Sequence, residues 1–121
     1  MNKYIRMDEF TKLIDDYLIN FSKYDGGKNC FECKYGELIF YKNIYNPIGL
    51  TVFGIYIYPE YRRQGFCREI LHYLIDNCPN YDFKYLYVES VLSRILYDYL
   101  LRFKYKNKKF TKLIDGFSYR L

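Results

Sequence analysis

The chain has 121 residues, of which 50% are hydrophobic and 27% charged, and its formal net charge is +5. This length fits one domain, residues 1–121, around a single core, and this composition excludes intrinsic disorder. No run of about 18 apolar residues and no signal peptide is found, so we expect a cytoplasmic protein with no membrane partner. The positive charge favours a polyanionic ligand, either a phosphate-bearing small molecule or a nucleic acid, and does not distinguish between them.

The first half of the chain predicts one helix and three strands. Residues 8–24 have apolar side chains at helical spacing and end in Gly26-Gly27. Two short strands are predicted over residues 29–34 and 38–42, with a turn at 35–37. A loop over residues 43–49 leads to a long strand over 50–58. Gly54 in the middle of that strand predicts a bulge or a close backbone approach.

The stretch from Ile55 to Leu71 changes from a strand pattern to a helix pattern. Pro59 ends the strand, and from Phe66 to about residue 77 apolar side chains recur at helical spacing. Gly65 stands where the helix begins, so the first helical N–H groups face an opening that no side chain blocks. An anion gains hydrogen bonds and the positive end of the helix dipole there, and Arg62 and Arg63 add charge. The sequence therefore predicts a phosphate site at this junction.

The last third predicts a strand over residues 83–90, a helix over 91–102, and two further strands over 104–114 and 117–121. Asp115-Gly116 is the expected hairpin turn between those last two strands. The strand at 83–90 should lie parallel to the central strand through a right-handed helical crossover. The expected fold is α+β, with a mixed, mostly antiparallel sheet that contains one parallel strand pair and is flanked by helices.

The junction also resembles a known family. Arg62-x-x-Gly65-x-Cys67, with its lead-in Pro59-Glu60-Tyr61, is similar to the Q/R-x-x-G-x-G/A signature of the GNAT superfamily of acyl-CoA-dependent N-acetyltransferases. The resemblance covers about residues 50–106, and Cys67 departs from the usual Gly or Ala. It implies a GNAT-like fold in which the parallel pair is splayed, with acetyl-CoA as cosubstrate and no metal. The usual first strand would be confined to residues 3–6 at most.

The resemblance also implies the residues that hold the cosubstrate. In the family, the loop amides bind the pyrophosphate and the preceding strand pairs with the pantetheine arm. On this chain the pantetheine would lie along Ile55, Tyr56 and Ile57. The pyrophosphate would be held by Arg62, Arg63, Gln64, Gly65, Phe66, Cys67 and Arg68.

The same resemblance implies direct acetyl transfer to a primary amine, which requires a base and an acid. Residues 50–58 contain no acidic side chain, so Glu89 is the candidate base; its alternative is a solvated strand-end residue. Tyr99 is the candidate acid when the family pattern is counted forward from Val88; counting back from Phe103 or Tyr105 reaches Asp98 or Leu100, and Tyr97 is also close. The family asparagine near the start of this helix is replaced by Leu92 or Ser93.

Other features have simpler interpretations. Cys30-x-x-Cys33 lacks the further ligands that a zinc site needs, so we expect reduced thiols. His72 is expected at the surface and Glu60 in a structural turn. Residues 102–110 interleave basic and aromatic side chains; we expect a charged sheet edge rather than a nucleic-acid site.

Three functions stay open: an N-acetyltransferase, a non-catalytic CoA-binding or protein-interaction module of the same fold, and a small nucleic-acid binder. The first is preferred, and nucleic acid is the least expected partner. The exposed C-terminal strands also offer a surface for a homodimer.

Overall fold

The computed structural model describes residues 7–91 and 93–121, so the predicted strand at 3–6 and Leu92 lie outside the described residues. The described helices are α1 (Asp8–Ile19), α2 (Phe66–Asn77) and α3 (Arg94–Arg102). The strands are β1 (Gly27–Cys33), β2 (Gly36–Lys42), β3 (Gly49–Ile57), β4 (Tyr85–Glu89), β5 (Lys104–Tyr105), β6 (Lys108–Lys109), β7 (Thr111–Lys112) and β8 (Gly116–Arg120).

Six strands form one sheet in the order β1-β2-β3-β4-β8-β7, and β5 and β6 form a separate hairpin. Only β3 and β4 pair in parallel in the sheet, and every other neighbouring pair is antiparallel. The predicted α+β class, with a mostly antiparallel sheet and one parallel pair, is therefore confirmed.

One face of the sheet carries the core. A row of almost fully buried side chains crosses four strands in register: Phe40, Val52, Val88 and Phe117. Tyr17 of α1 stacks on Phe40 with ring centroids 4.4 Å apart, and Tyr97 of α3 meets Phe117 at 5.4 Å. Because all side chains of this row point to the same face, α1 and α3 pack on the same side of the sheet.

The pairing of β3 is interrupted in its middle. Gly54 pairs with Ile39, but the next residue of β2, Phe40, pairs with Val52, so Phe53 is an extra residue in β3. The parallel pairing with β4 ends at the same level, at Val52 and Val88, although β3 continues to Ile57. A bulge increases local twist and bends the strand, and here the strands separate beyond it. The bulge predicted at Gly54 and the splayed parallel pair are both confirmed.

Several predicted boundaries were wrong in the N-terminal half. The first helix ends at Ile19 rather than at residue 24, and a short 3-10 turn follows at Phe21–Lys23. The Asn20 amide donates to the Asp16 carbonyl, and the Lys42 ammonium donates to the carbonyls of Phe21 and Tyr24, which holds the chain in this turn. Gly36 belongs to β2 rather than to the turn, and it packs so closely on β3 that an added Cβ would lie 2.0 Å from the Tyr56 carbonyl oxygen.

The predicted strand over residues 104–114 was confirmed only at Thr111–Lys112, which pairs with β8 at the edge of the sheet, and was wrong over the rest. Lys106 and Asn107 both have positive φ, 53° and 61°, and form the turn of the β5–β6 hairpin. That hairpin is separate from the main sheet, so residues 104–109 are not a sheet edge. Gly116 begins β8 instead of forming the turn, and it packs so closely on β4 that an added Cβ would lie 2.2 Å from the Val88 carbonyl oxygen.

The helix predicted over residues 91–102 begins later, at Arg94. Ser93 caps it, and its hydroxyl accepts a hydrogen bond from the Leu96 N–H at 3.3 Å. None of the helices found in residues 7–91 and 93–121 is long and apolar enough to cross a membrane.

Adjacent residues of β2 test which face of the sheet is the core. Phe40→Ala removes a ring with no solvent exposure and should lower the free energy of unfolding by about 3–5 kcal/mol. Tyr41→Ala removes a ring that is 37% exposed and contacts only one described ring, that of Phe53, so about 1.5 kcal/mol or less is expected. Urea unfolding of both variants measures the difference. Equal losses would contradict the assigned face.

Candidate active site

A cleft of about 720 Å³ lies between the second half of β3, the N-terminus of α2 and one side of α3. The predicted cosubstrate residues Ile55, Tyr56, Ile57, Arg62, Arg63, Gly65, Phe66, Cys67 and Arg68 all line it; Gln64 is not among the lining residues. Tyr99 of α3 lines the same cleft. Residues that are far apart in the sequence are therefore brought together around one opening.

The backbone of β3 presents donors to this opening. The Tyr58 N–H donates to the Tyr35 carbonyl on the β2 side of the strand, at 2.9 Å. Because successive N–H groups of a strand point to opposite neighbours, those of Ile57 and Ile55 point away from β2. They lie beyond Val52, where the pairing with β4 has ended, so they face the gap. An extended polar chain can bind there as an added strand.

The N-terminus of α2 forms the second wall. Gly65 has a left-handed backbone, with φ of +83°, and no side chain caps the helix. The first intrahelical bond runs from the Glu69 N–H to the Gly65 carbonyl, at 3.0 Å. The Arg68 guanidinium lies 3.0 Å from the position that a Cβ on Gly65 would occupy. Helical N–H groups and a guanidinium therefore converge where an anion is favoured.

The arginines of the preceding loop have different roles. Arg62 donates from Nε to the Ile57 carbonyl at 2.9 Å, and its guanidinium lies 5.4 Å from the centre of the Tyr56 ring. It therefore ties the loop to the end of β3 while keeping its charge at the cleft. Arg63 has a left-handed backbone, with φ of +63°, and lines the cleft.

Tyr99 and Cys67 are both un-ionised at neutral pH. Burial is the main cause that raises the pKa of Tyr99; Cys67 raises it further, and Arg68 opposes the shift. Burial raises the pKa of the Cys67 thiol to about 12. The cleft thus keeps a phenol that can donate a proton, and no thiolate repels an anion at the helix N-terminus.

Of the three acid candidates on α3, only Tyr99 lines the cleft. The Tyr97 ring packs against Phe117, and Asp98 forms an i,i+4 ion pair with Arg94. The sequence spacing could not separate these residues, because which side of the helix faces β3 depends on the packing.

Glu89 lies outside the cleft lining. It is the first residue of β4 beyond the last β3–β4 pair, and it alternates with the buried Val88, so its side chain points to the face opposite the core. It is partly buried, and its pKa is raised, first by burial and second by the nearby Asp115 carboxylate. Glu89 therefore stands near the point where the strands separate, on the face away from the helices.

The comparison with known families identifies the fold. The model of the "Acetyltransferase (GNAT) family" matches residues 11–97, which include the cleft-forming parts of β3 and α2 and the start of α3. The chain belongs to the GNAT acetyltransferase family. No curated protein and no solved structure matched the chain significantly. Membership in the family supports an acyl-CoA-dependent acetyltransferase.

The GNAT cleft also includes residues to which the sequence analysis gave no cosubstrate-binding or catalytic role: Tyr61, Ser93, Ile95, Leu96 and Arg102. The spacing of Leu96, Tyr99 and Arg102 at every third position was an available signal, since such residues share one side of a helix.

The remaining chemical candidates lie elsewhere. All four cysteines are free, and Cys30 is exposed on β1. Within residues 7–91 and 93–121, no three His, Cys, Asp or Glu side chains are grouped to hold a metal ion. His72 is half-buried rather than at the surface, and it stacks on the Tyr105 ring with centroids 3.8 Å apart.

Gly65 and Gly27 form a matched pair for testing the anion site. Both have positive φ, +83° and +98°, but Gly27 has no atom near its missing Cβ and lies outside the cleft. Gly65→Glu places bulk and negative charge at the α2 N-terminus, so CoA affinity should fall at least about 100-fold, or about 2.8 kcal/mol. Gly27→Glu adds similar backbone strain and should leave the affinity unchanged. Titration calorimetry measures both, and an equal effect of the two variants would contradict the assigned anion site.

Proposed function

We propose that the protein is an N-acetyltransferase that moves the acetyl group of acetyl-CoA directly to a primary amine. The observation that carries this proposal is the single cleft that joins the gap beside β3, the α2 N-terminus and Tyr99. In this proposal the pyrophosphate binds the first turn of α2 and the residues from Arg62 to Arg68. The pantetheine arm binds the Ile55 and Ile57 N–H groups as an added strand.

The reaction makes specific demands on the cleft. A primary ammonium, with a pKa near ~10.4, must lose a proton before its nitrogen can attack the thioester carbon. The carbonyl oxygen then gains negative charge, which a fixed N–H of β3 beyond the bulge can stabilise. As the carbon–sulfur bond breaks, the CoA thiolate takes a proton. We assign this last step to the Tyr99 hydroxyl, since its raised pKa keeps it protonated.

We assign the base to Glu89. Its position on the face opposite the helices would let the amine approach the strand gap from one side while the thioester lies on the other. Its raised pKa makes the carboxylate a stronger proton acceptor than an exposed glutamate. The amine nitrogen then attacks the thioester carbon and CoA departs as the thiol, so the acetyl group moves directly to the amine without a covalent enzyme intermediate.

Turnover with an amine library tests the proposal. The chain is mixed with acetyl-CoA and individual polyamines, aminoglycosides, amino acids or lysine peptides, and released CoA thiol is measured. Thiol release above buffer hydrolysis, with an acetamide found by mass spectrometry, is expected for at least one primary amine. Gly65→Glu serves as the control for enzyme-dependent release.

The second candidate function is a non-catalytic CoA-binding or protein-interaction module. It is favoured by the lack of any acidic side chain in β3 (Gly49–Ile57) and by the position of Glu89 outside the cleft lining. CoA binding that is sensitive to Gly65→Glu, combined with no turnover of any amine, would support this module and contradict the enzyme.

Glu89→Gln tests the base. The carboxylate is the active form, so kcat/KM should rise with pH through the raised pKa of Glu89, and the variant should lose this acidic limb. We expect kcat to fall about 100-fold or more, with little change in KM for acetyl-CoA. Glu60→Gln, an exposed residue of the turn before α2, is the matched control and should be near normal. An unchanged pH profile in Glu89→Gln would remove Glu89 from the mechanism.

The wider assignments stay predictions. We propose one N-acetyltransferase-like domain over residues 1–121, located in the cytoplasm and able to form a homodimer. Nucleic acid is not the proposed partner, because two of the four lysines in the basic segment of residues 104–109 already have partners within the fold. Lys106 pairs with Asp76 at 2.8 Å, and Lys108 donates to the Arg120 carbonyl.

A further inference from the structure

A second, smaller pocket of about 380 Å³ adjoins the cleft at α3. It is lined by Arg68, His72, Tyr99, Arg102, Phe103 and Lys104 and is called the basic pocket below. Three of these residues, Arg68, Tyr99 and Arg102, also line the cleft, so the two spaces are adjacent. The lining contains three permanent cations and a histidine, and among the described residues that line it there is no carboxylate.

Contacts of Tyr105 hold the side of the basic pocket that His72 and the β5–β6 hairpin form. Tyr105 stacks on His72 and donates its hydroxyl to both Asp76 carboxylate oxygens at 3.1 Å. Lys106 contacts the same carboxylate, and the Tyr119 hydroxyl donates to the Tyr105 carbonyl at 2.6 Å. These contacts anchor the β5–β6 hairpin, and with it Lys104, against α2. Asp76 itself is not a lining residue of the basic pocket, and its carboxylate is engaged by Tyr105 and Lys106.

We propose that the basic pocket binds the 3′-phosphate of CoA and makes the protein select CoA over dephospho-CoA. This inference rests on the proposed function, because it assumes that the cleft holds the rest of CoA. Beyond its pyrophosphate, CoA carries an adenosine with a 3′-phosphate dianion. Arg68, near the α2 N-terminus, lines both the cleft and the basic pocket, and Arg102 and Lys104 add two further cations to the lining of the pocket.

The chemistry of the lining fits this end of the molecule. A phosphate dianion is bound most strongly by charge-assisted hydrogen bonds from guanidinium and ammonium groups. The rings of Phe103, His72 and Tyr99 supply flat apolar surface beside those charges, which suits a nucleoside. The pocket is therefore complementary to a phosphate attached to a ring system, and not only to a free anion.

Calorimetric titration of the full chain with CoA, dephospho-CoA and adenosine 3′,5′-bisphosphate tests the inference. CoA should bind at least about tenfold more tightly than dephospho-CoA, because only CoA has a 3′-phosphate that can accept charge-assisted hydrogen bonds in the basic pocket. The bisphosphate should compete with CoA. Lys104→Gln should lower the affinity for CoA about fivefold and change the affinity for dephospho-CoA by no more than about twofold. The reason is that Lys104 lines the basic pocket and not the cleft.

Lys109 provides the matched control. It pairs with Lys104 across the β5–β6 hairpin, is exposed and does not line either space, so Lys109→Gln should bind both ligands normally. Equal affinity of the wild-type chain for CoA and dephospho-CoA would overturn the inference while leaving the proposed function intact. Equal losses from Lys104→Gln and Lys109→Gln would also overturn it, as a general charge effect. Failure of both CoA forms to bind would instead defeat the proposed function.

Discussion

The loss of pairing between β3 and β4 is the constraint on which the active site depends. A parallel strand normally uses its N–H and C=O groups on both sides, and an open pair in the middle of a sheet leaves donors unsatisfied. Here the extra residue Phe53 turns β3 away after Val52, and the Ile55 and Ile57 N–H groups lose their neighbour. These groups are satisfied by water or by a ligand that binds as a strand. The gap is thus both a cost to the sheet and a preorganised binding surface.

The aromatic core keeps this gap at one end of the pair. Below the bulge, the row of Phe40, Val52, Val88 and Phe117 ties four strands together, and Tyr17 covers it with a stacked ring. Burying one Phe side chain contributes about 1.5–3 kcal/mol, against about 0.5–1.5 kcal/mol for one ladder hydrogen bond, so the row outweighs single bonds lost above the bulge. The strands therefore stay paired where the core is continuous and separate only beyond it.

The electrostatics of the cleft follow from the same packing. Burial raises the pKa of the Cys67 thiol and of the Tyr99 phenol further above neutral pH, so the arginines and the α2 N-terminus dominate the charge of the cleft. The carboxylate of Glu89 is placed on the opposite face by strand alternation alone. A one-residue shift of β4 would move it into the core, so the sheet register keeps the proposed base on the face opposite the proposed anion site.

The sequence alone determined the local parts of this protein. The α2 helix and its glycine start, the bulge at Gly54 and the α+β class were predicted correctly, because each depends on residue spacing or on one glycine. The GNAT family was recognised from the residues between Ile55 and Leu71. The sequence could not predict the β5–β6 hairpin, because its turn contains no glycine. Lys106 and Asn107 instead adopt left-handed backbones, which residues other than glycine rarely do. Nor could it show that Tyr99, rather than Tyr97 or Asp98, faces the cleft, or that Arg102 and Lys104 meet Arg68 in one pocket. Those facts depend on how α3 and the hairpin pack against α2, and contacts between residues distant in the chain are fixed only by the tertiary structure.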